Sequence, residues 1–315
     1  MKYTVTGCAG FIGSNLVDKL LQQDCEVIGI DNLSTGRNEF LETASINKNF
    51  TFVNEDICRI ENYKKLLEGS HTVFHMAANA DVRFGLKHPM KDLQENTINT
   101  CNLLEAMRSV DVKNIIFAST GSVYGENKQI PTLEFCPFPI QTSLYGASKV
   151  AAEAFISAYC EGFEFNAVAC RFVSLMGPRY THGHVYDFVK SLKKDPHQLL
   201  ILGDGKQFKS YFHVDDCVNG MILFSSLFKK ILKGFTPINL GTEEGITVAE
   251  SAQIISNAVG LNPIYKFTGG KQGWIGDNPI IQLDISRAKE LGWHPKKSIK
   301  ESIKQTAQWV YRYLK

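Results

Sequence analysis

Near its start the chain reads Tyr3-Thr4-Val5-Thr6-Gly7-Cys8-Ala9-Gly10-Phe11-Ile12-Gly13, and this stretch decides the fold. A strand-like run leads into three glycines at every third position, and an amphipathic stretch follows. Glycine lets the backbone turn sharply and approach a ligand closely. A helix that begins at such a turn directs its N–H groups and the positive end of its dipole towards an anion. The stretch therefore predicts a strand, a tight turn and a helix that binds a pyrophosphate.

The next strand ends in Asp31, where the dinucleotide-binding pattern expects an acidic residue. A carboxylate there can accept hydrogen bonds from both ribose hydroxyls and repels a 2′-phosphate, so it favours NAD over NADP. Asp56 follows the third strand and suggests an adenine contact, with a helix-capping role left open. The complete set that we expect to hold the cofactor is Gly7, Gly10, Phe11, Ile12, Gly13, Asp31, Asn32, Ser34, Thr35, Gly36, Asp56, Ile57, Ala77, Ala78, Asn96, Tyr145 and Lys149.

Short apolar runs alternate with amphipathic stretches over the first two thirds of the chain, which is typical of βαβ units and a parallel sheet. Predicted strands cover residues 3–6, 26–30, 50–53, 72–74, 114–118, 166–171 and 237–240, and predicted helices cover 12–23, 60–67, 93–110, 144–159, 214–228, 248–259 and 298–313. Between Arg171 and about residue 212 only short periodic pieces are visible. We predict an α/β protein with a Rossmann-type doubly wound parallel sheet in residues 1–172 and a return segment near 213–242. Residues 173–315 are predicted to form a smaller, discontinuous C-terminal α/β substrate-binding domain.

The composition argues against several classes of protein. The 315 residues carry a formal net charge of +2, and 44% of them are hydrophobic. This balance argues against a nucleic-acid or membrane-surface partner, and no run approaches the roughly 20 apolar residues of a membrane span. With no secretory segment recognised, we expect a cytoplasmic protein. The eight cysteines show no zinc-type spacing, so we expect buried thiols and no metal site.

A second motif indicates a catalytic site. Tyr145 and Lys149 are four residues apart near the start of a predicted helix and therefore share a face. A phenol is a poor base at neutral pH, but a nearby ammonium and an oxidised nicotinamide stabilise the phenolate. The hydroxyl-rich run from Ser119 to Gly125 ends the fifth strand, where ligands bind in open α/β sheets, so Thr120 is expected in the same crevice.

Together these motifs resemble the extended short-chain dehydrogenase/reductase family, in particular its NAD-dependent sugar-nucleotide epimerases of the UDP-glucose 4-epimerase type. The resemblance covers nearly the whole chain. Its markers are the three glycines, the loop 31–37, Asp56-Ile57, His75-Met76-Ala77-Ala78, Asn96, the run 119–125, Tyr145-x-x-x-Lys149, Arg171 with Gly177-Pro178-Arg179, Gly203-Asp204-Gly205 and Val214-Asp215-Asp216.

The resemblance implies a reaction. Tyr145 would take the proton of the sugar C4 hydroxyl, with Thr120 as hydrogen-bond partner or relay and Lys149 tuning Tyr145. The C4 hydride would move to NAD and return to the other face of the 4-keto sugar, so NAD would be retained without net redox. Asn96 would be a second contact behind the cofactor. Family members commonly form homodimers through a four-helix bundle, which here would use the helices at 93–110 and 144–159.

Gly121 and Ser122 follow Thr120, where the resemblance implies an Asp-Glu pair in 4,6-dehydratases and a glutamate in decarboxylases. Epimerisation of UDP-glucose and UDP-galactose, or of their N-acetyl forms, is therefore favoured. A UDP-glucuronate 4-epimerase, a net-redox reductase or dehydrogenase, and a non-catalytic NAD sensor remain alternatives. Residues expected to contact the UDP-sugar are Arg83, Ser122, Ser174, Arg179, His184, Val185, Lys209 and Asp277.

Three positions depart from the family pattern. Ser174 replaces an asparagine, Lys209 replaces an arginine and so loses the bidentate fork, and Trp274-Ile275-Gly276-Asp277 replaces Arg-x-Gly-Asp. The diphosphate contact is therefore expected from Arg179 or Lys271. For Arg83 and His184, a solvated surface or loop position is the alternative to ligand binding.

Overall fold

A computed structural model describes residues 1–81, 85, 87–125, 129–136, 140–228, 232–270 and 280–314. Its strands are β1 (Lys2–Thr6), β2 (Glu26–Asp31), β3 (Phe50–Asn54), β4 (Thr72–His75), β5 (Asn114–Ala118), β6 (Asn166–Phe172), β7 (Ser174–Met176), β8 (Gln198–Ile201), β9 (Phe208–Lys209), β10 (Tyr211–His213), β11 (Phe235–Leu240), β12 (Ile246–Thr247), β13 (Ile264–Phe267) and β14 (Ile280–Ile281).

Its α-helices are α1 (Phe11–Leu21), α2 (Glu42–Ser45), α3 (Ile60–Leu67), α4 (Pro89–Asp92), α5 (Asn99–Ser109), α6 (Leu144–Phe163), α7 (His184–Lys194), α8 (Val214–Leu227), α9 (Val248–Ala258), α10 (Ser286–Glu290) and α11 (Ile299–Tyr313). A π-helical segment, Leu93–Ile98, joins α4 to α5. Short 3₁₀-helices cover Asn38–Leu41 and Gly121–Tyr124.

The central sheet has seven strands in the order β11-β6-β5-β4-β1-β2-β3. Each neighbouring pair from β3 across to β6 is parallel. The chain reverses its direction of travel across the sheet between β1 and β4, and in such sheets ligands bind at the carboxyl ends of the strands on either side of this point. The predicted Rossmann-type sheet is thus confirmed.

The chain divides into two compact units. The first comprises Met1–Asn127, Glu134–Arg171 and Val218–Ile238, and the second comprises Lys128–Leu133, Phe172–Cys217 and Asn239–Lys315. In the first unit, α1 buries Leu16, Val17 and Leu20, whose spacing places them on one face. Strand β5 buries Ile115, Ile116 and Phe117 completely, as both faces of a parallel sheet are covered.

Two predictions about elements were wrong. The single helix expected at 93–110 consists of two pieces, the π-helical segment Leu93–Ile98 and the α-helix α5, and the helical stretch begins earlier, with α4. The region after Arg171, expected to contain only short periodic pieces, includes the regular helix α7, which buries Val185, Val189 and Leu192. That i, i+4, i+7 pattern is helical, but charged residues between the apolar ones and a glycine before it obscured the period.

No α-helix among the described residues is long and apolar enough to cross a membrane. Within the same ranges, no three His, Cys, Asp or Glu side chains come together as a metal-binding group. The expectation of buried cysteines fails at Cys58, which is exposed in the turn before α3, where its N–H donates to Asp56.

Candidate active site

The glycine turn between β1 and α1 is closed by the backbone that follows β4. Gly7 has a φ of +66°, and a Cβ at this position would lie 2.6 Å from the backbone nitrogen of Ala77. A Cβ at Gly13 would overlap the carbonyl oxygen of Gly7. Gly10, the N-cap, supplies no side-chain acceptor to α1. The turn is therefore a cradle without side chains at the positive end of a helix, which fits a dinucleotide pyrophosphate.

Asp31 ends β2 beside this cradle. Its side chain is buried, with Oδ2 accepting the N–H of Ala9 at 2.9 Å and Oδ1 accepting that of Leu33 at 2.8 Å. Burial raises the pKa of Asp31, while these two hydrogen bonds lower it. Each carboxylate oxygen has capacity for a further bond, so both ribose hydroxyls can still be accepted. A Cβ at Gly36 would lie 2.7 Å from Oδ1, which explains the glycine there.

The loops after β2 and β3 are joined by side chains. Asn32 donates to Oδ2 of Asp56 at 2.8 Å, and Oδ1 of Asp56 accepts the N–H of Cys58 at 2.9 Å. Asp56 does not cap α3, whose N-cap is Arg59 and has no side-chain cap, and its bond to the N–H two residues on closes an Asx-type turn instead. Ile57 is buried and packs in the hydrophobic core, so only its backbone is available to a cofactor. Ser34 and Thr35 are exposed in the loop after β2.

His75, the last residue of β4, is a packed histidine. Its Nδ1 lies 2.8 Å from the hydroxyl of Thr6 and its Nε2 lies 2.9 Å from that of Thr100. Thr100 donates its own proton to the carbonyl of Asn96, so Nε2 must be the protonated nitrogen. Burial, with the charge of Lys149, lowers the pKa of His75 to about 3, which keeps it neutral. Thr6 also accepts the N–H of Ala77 at 3.3 Å and so fixes the backbone beside the cradle.

Tyr145 and Thr120 meet as predicted. Thr120 follows β5, and Tyr145 lies in the first turn of α6, which Ser143 caps by accepting the N–H of Gly146. Burial raises the pKa of Tyr145 to about 12, and the charge of Asp92 adds to this rise. A hydrogen bond with Thr120 has the opposite effect and lowers the pKa. The sequence predicts a stabilised phenolate. In the structure the residues of the chain alone destabilise the phenolate of Tyr145, since burial disfavours the charged form.

Lys149 lies one helical turn further along α6 and is buried. Its ammonium donates to the carbonyl of Ala118 at 2.9 Å and lies 4.6 Å from the ring centroid of Phe117. Burial lowers the pKa of Lys149 to about 7, although Glu153 and Asp92 raise it. Burial therefore disfavours the ammonium form, and the negative charges nearby favour it.

Sequence reasoning missed a buried ion pair next to Lys149. Arg171, at the end of β6, donates to Glu153 through Nε at 3.0 Å and through Nη2 at 2.5 Å. Ser119 donates to the same carboxylate. Arg171 also donates to the hydroxyl of Tyr124 at 3.1 Å. The signal was present, because Glu153 follows Lys149 by four residues and so shares its helix face.

Asn96 also has a connecting role that the sequence did not reveal. Its Oδ1 accepts the N–H of Asn79 at 2.9 Å, and its amide group donates to Ser148 at 2.9 Å and to the carbonyl of Asn79 at 3.3 Å. Ser148 in turn donates to the carbonyl of Tyr145 at 2.8 Å. Asn96 thus ties the segment after β4 to the first turn of α6, while its cofactor contact stays a prediction.

Ser122 lies beside Thr120 in the first unit, 3.3 Å from its hydroxyl. In the second unit, Ser174 and Lys209 lie on short strands. His184 stacks on Tyr211 and its Nε2 lies 2.8 Å from Ser251, and burial lowers the pKa of His184 to about 4. The side chain of Val185 is buried, so only its backbone can contact a ligand.

Arg179, with a φ of +71°, follows the Gly177-Pro178 turn in the second unit. The remaining expected contacts, Arg83, Lys271 and Asp277, lie outside the described residues, as does the departure at Trp274.

Known proteins resemble this chain closely. The model of the NAD dependent epimerase/dehydratase family matches residues 3–241. A UDP-glucose 4-epimerase of Mycolicibacterium smegmatis is 33% identical over 316 residues, which cover 98% of each chain. A crystal structure of UDP-glucose 4-epimerase from Thermotoga maritima with UDP-glucose has a TM-score of 0.86 at 33% identity and covers 100% of both chains. A UDP-glucuronic acid 4-epimerase of Bacillus cereus, in complex with UDP-glucuronic acid and NAD, has a TM-score of 0.88 at 28% identity, covering 99% of this chain and 100% of that one.

The arrangement of Asp31 leads to a prediction about cofactor choice. Asp31 is expected to accept the ribose hydroxyls and to repel a 2′-phosphate, and replacing it with alanine removes the carboxylate needed for both. We expect weaker NAD binding and a smaller preference for NAD over NADP, measured by isothermal titration with each nucleotide. Glu26→Gln, which neutralises an exposed carboxylate at the other end of β2, is the matched control and should retain both affinities. An unchanged preference in Asp31→Ala would mean that another residue reads the ribose.

Proposed function

The chain belongs to the NAD-dependent epimerase/dehydratase family, and we propose that it is a UDP-sugar 4-epimerase. The proposal rests on the hydrogen-bonded Tyr145 and Thr120 beside the buried Lys149. The residues that follow Thr120 are Gly121 and Ser122, so no carboxylate stands where the resemblance implies one for eliminating or decarboxylating relatives. The first preference is UDP-glucose and UDP-galactose or their N-acetyl forms, and UDP-glucuronate is the alternative.

The cofactor of the family is NAD, and the residues of the first unit fit it. The glycine cradle would receive the pyrophosphate and Asp31 the adenosine ribose, with Tyr145 and Lys149 at the nicotinamide end. Bound NAD supplies a hydride acceptor and donor for C4 of the sugar. In the same proposal, the bound cofactor is also contacted by Asn32, Ser34, Thr35, Asp56 and Ala78.

Tyr145 is the proton carrier in this proposal. Its phenolate takes the proton of the C4 hydroxyl and later returns it to the C4 oxygen, while the hydroxyl of Thr120 donates to the phenolate. Because the chain alone raises the pKa of Tyr145 to about 12, deprotonation near neutral pH needs added positive charge. Lys149 in its ammonium form and the oxidised cofactor are the two sources of that charge.

The substrate contacts are proposed separately for the two units. In the first unit, Ser122 is our candidate for a hydrogen bond to the sugar. In the second, Arg179 and Lys209 are the candidate cations for the diphosphate. Ser174, the backbone of Val185 and His184 are further candidates, although the packing of His184 against Tyr211 and Ser251 leaves only its Nδ1 for a ligand.

The function is tested with the purified protein and three separate substrates: UDP-galactose, UDP-N-acetylgalactosamine and UDP-galacturonate. Proton NMR follows the anomeric and H4 signals, first without and then with added NAD. We expect the C4 epimer of one substrate to grow to a stable ratio with no net reduction of NAD. Loss of carbon dioxide, net redox or no conversion of any of the three would contradict the proposal, and the substrate that reacts identifies the sugar.

Tyr145→Phe tests the assignment of the proton carrier. The variant keeps the cradle and the ring but loses the ionisable hydroxyl, so we expect NAD binding to persist and kcat to fall by about 10²–10⁴. Tyr159→Phe removes a hydroxyl from the same helix, where it donates to Glu105, and serves as the control with near wild-type kcat. Wild-type turnover in Tyr145→Phe would refute the assignment.

We propose further that the protein forms a homodimer through the segment 89–109 and α6. Both elements expose large apolar side chains, namely Met90, Leu93 and Ile98 on the first and Leu144, Phe155 and Phe163 on the second. Leu144 and Phe155 lie on one face of α6, since eleven residues make about three helical turns. Exposed apolar residues concentrated in this way are typical of an association surface.

Phe155→Glu tests the dimer. A charge in the centre of an apolar interface should dissociate it, so we expect sedimentation velocity to show a dimer for the wild type and a monomer for the variant. Ile46→Glu, which places the same charge at a residue that is 88% exposed on another part of the first unit, should remain dimeric. A monomeric wild type would refute the proposal.

A further inference from the structure

Asp92, the last residue of α4, is the buried acid of the first unit that the mechanism above does not use. Its side chain is only 1% exposed. Its Oδ1 accepts the side-chain N–H of Asn79 at 2.7 Å. Its Oδ2 is buried and has no hydrogen-bond donor among the described residues. A carboxylate in such a place is costly unless a nearby positive charge compensates it.

Helix α4, which carries Asp92, packs against α6, which carries Tyr145 and Lys149. Burial raises the pKa of Asp92 and Asp81 adds to that rise, while the hydrogen bond from Asn79 and the charge of Lys149 lower it. In the other direction, Asp92 raises the pKa of both Lys149 and Tyr145. Glu153 on its own helix raises the pKa of Lys149 more than Asp92 does, and the nearby His75 is neutral.

Asp92 is also connected to the pair by hydrogen bonds. Asn79, which donates to Asp92, exchanges two hydrogen bonds with Asn96. Asn96 donates to Ser148, and Ser148 donates to the carbonyl of Tyr145. All five side chains lie in the first unit, and Asn79 and Asp92 belong to segments that flank the expected cofactor contacts Ala78 and Asn96. The acid can therefore act on the first turn of α6 by position as well as by charge.

We propose that Asp92 is a positioning residue of the active site: its buried carboxylate, held by Asn79, keeps Lys149 in its ammonium form and sets the pH range over which Tyr145 and Lys149 work together. The proposal rests on the proposed 4-epimerase function. It adds that the pair is balanced by an acid from a different helix, and that this acid contacts neither substrate nor cofactor.

The sign of the effect follows from the charge. A negative group stabilises the protonated forms of both Lys149 and Tyr145, so its removal makes both groups lose their protons more easily. In Asp92→Asn, which keeps the size of the side chain and an oxygen for Asn79, we expect the pH profile of kcat to move to lower pH by roughly one unit. A residue that only maintained the fold would lower kcat at every pH without moving the profile.

The closing experiment measures kcat against pH for the NAD-loaded wild type, Asp92→Asn and Glu95→Gln. Glu95 lies three residues further along the chain and pairs with Lys91 at 2.6 Å, so Glu95→Gln removes a carboxylate of the same segment and should leave the profile in place. Asp92→Ser is a smaller second variant and should show the same shift, so a folding failure of Asp92→Asn does not decide the outcome. An unmoved profile in a folded Asp92 variant, or an equal shift in Glu95→Gln, would overturn the proposal.

A second readout separates this proposal from the proposed function. The ultraviolet absorbance of tyrosinate is titrated in the NAD-loaded protein, and the signal of Tyr145 is obtained by subtracting that of Tyr145→Phe. We expect the midpoint for Tyr145 to fall in the Asp92→Asn background. If the wild type converts no UDP-sugar, the 4-epimerase proposal fails, yet the titration still decides whether Asp92 acts on Tyr145. An unchanged midpoint overturns the role of Asp92 whatever the substrate.

Discussion

The ammonium of Lys149 is buried one helical turn from Tyr145, and the surroundings of the candidate site follow from the cost of that burial. A charge removed from water needs compensating groups, and here a backbone carbonyl at the end of β5, an aromatic ring and the carboxylate of Glu153 provide them. These groups come from β5 of the sheet and from α6 itself. The pair of functional side chains is therefore fixed by the packing of α6 on the sheet, rather than by loops alone.

The carboxylate of Glu153 also accepts hydrogen bonds from Arg171 and Ser119, so several groups share it. A buried ion pair of this kind is weak evidence for stability, since desolvation offsets much of its attraction. Its clearer consequence is geometric. The ion pair fixes the ends of β5 and β6 and one face of α6 relative to one another around the ammonium. On the other side, the neutral His75 joins β1 to α5 through two threonine hydroxyls, so the floor of the cradle is fixed without adding charge.

Much of this architecture could be predicted from the sequence, because the strongest signals are local. The glycine turn, Asp31 at the end of β2 and the bounds of α3 and β5 follow from periodicity and turn chemistry within a few residues. The meeting of Tyr145 with Thr120 could be predicted because parallel strands end at one edge. What could not be predicted depends on long-range packing: the connection from Asn79 through Asn96 to Ser148 joins three segments, and nothing in their local sequence indicates it. Strands of two to four residues in the second unit are likewise too short to show a period.

The π-helical turn from Leu93 to Ile98 has a consequence for the changes that this segment of the chain can accept. Such a turn is an α-helical turn with one residue added, so α4 and α5 are rotated about their common axis by about 100° relative to an uninterrupted helix. In this rotated arrangement both α4 and α5 pack against α6. A deletion of one residue here would restore a regular helix and yet turn one side away from it. Within this segment, substitutions are therefore tolerated more readily than changes of length, and a change of length in a relative would signal a differently built site.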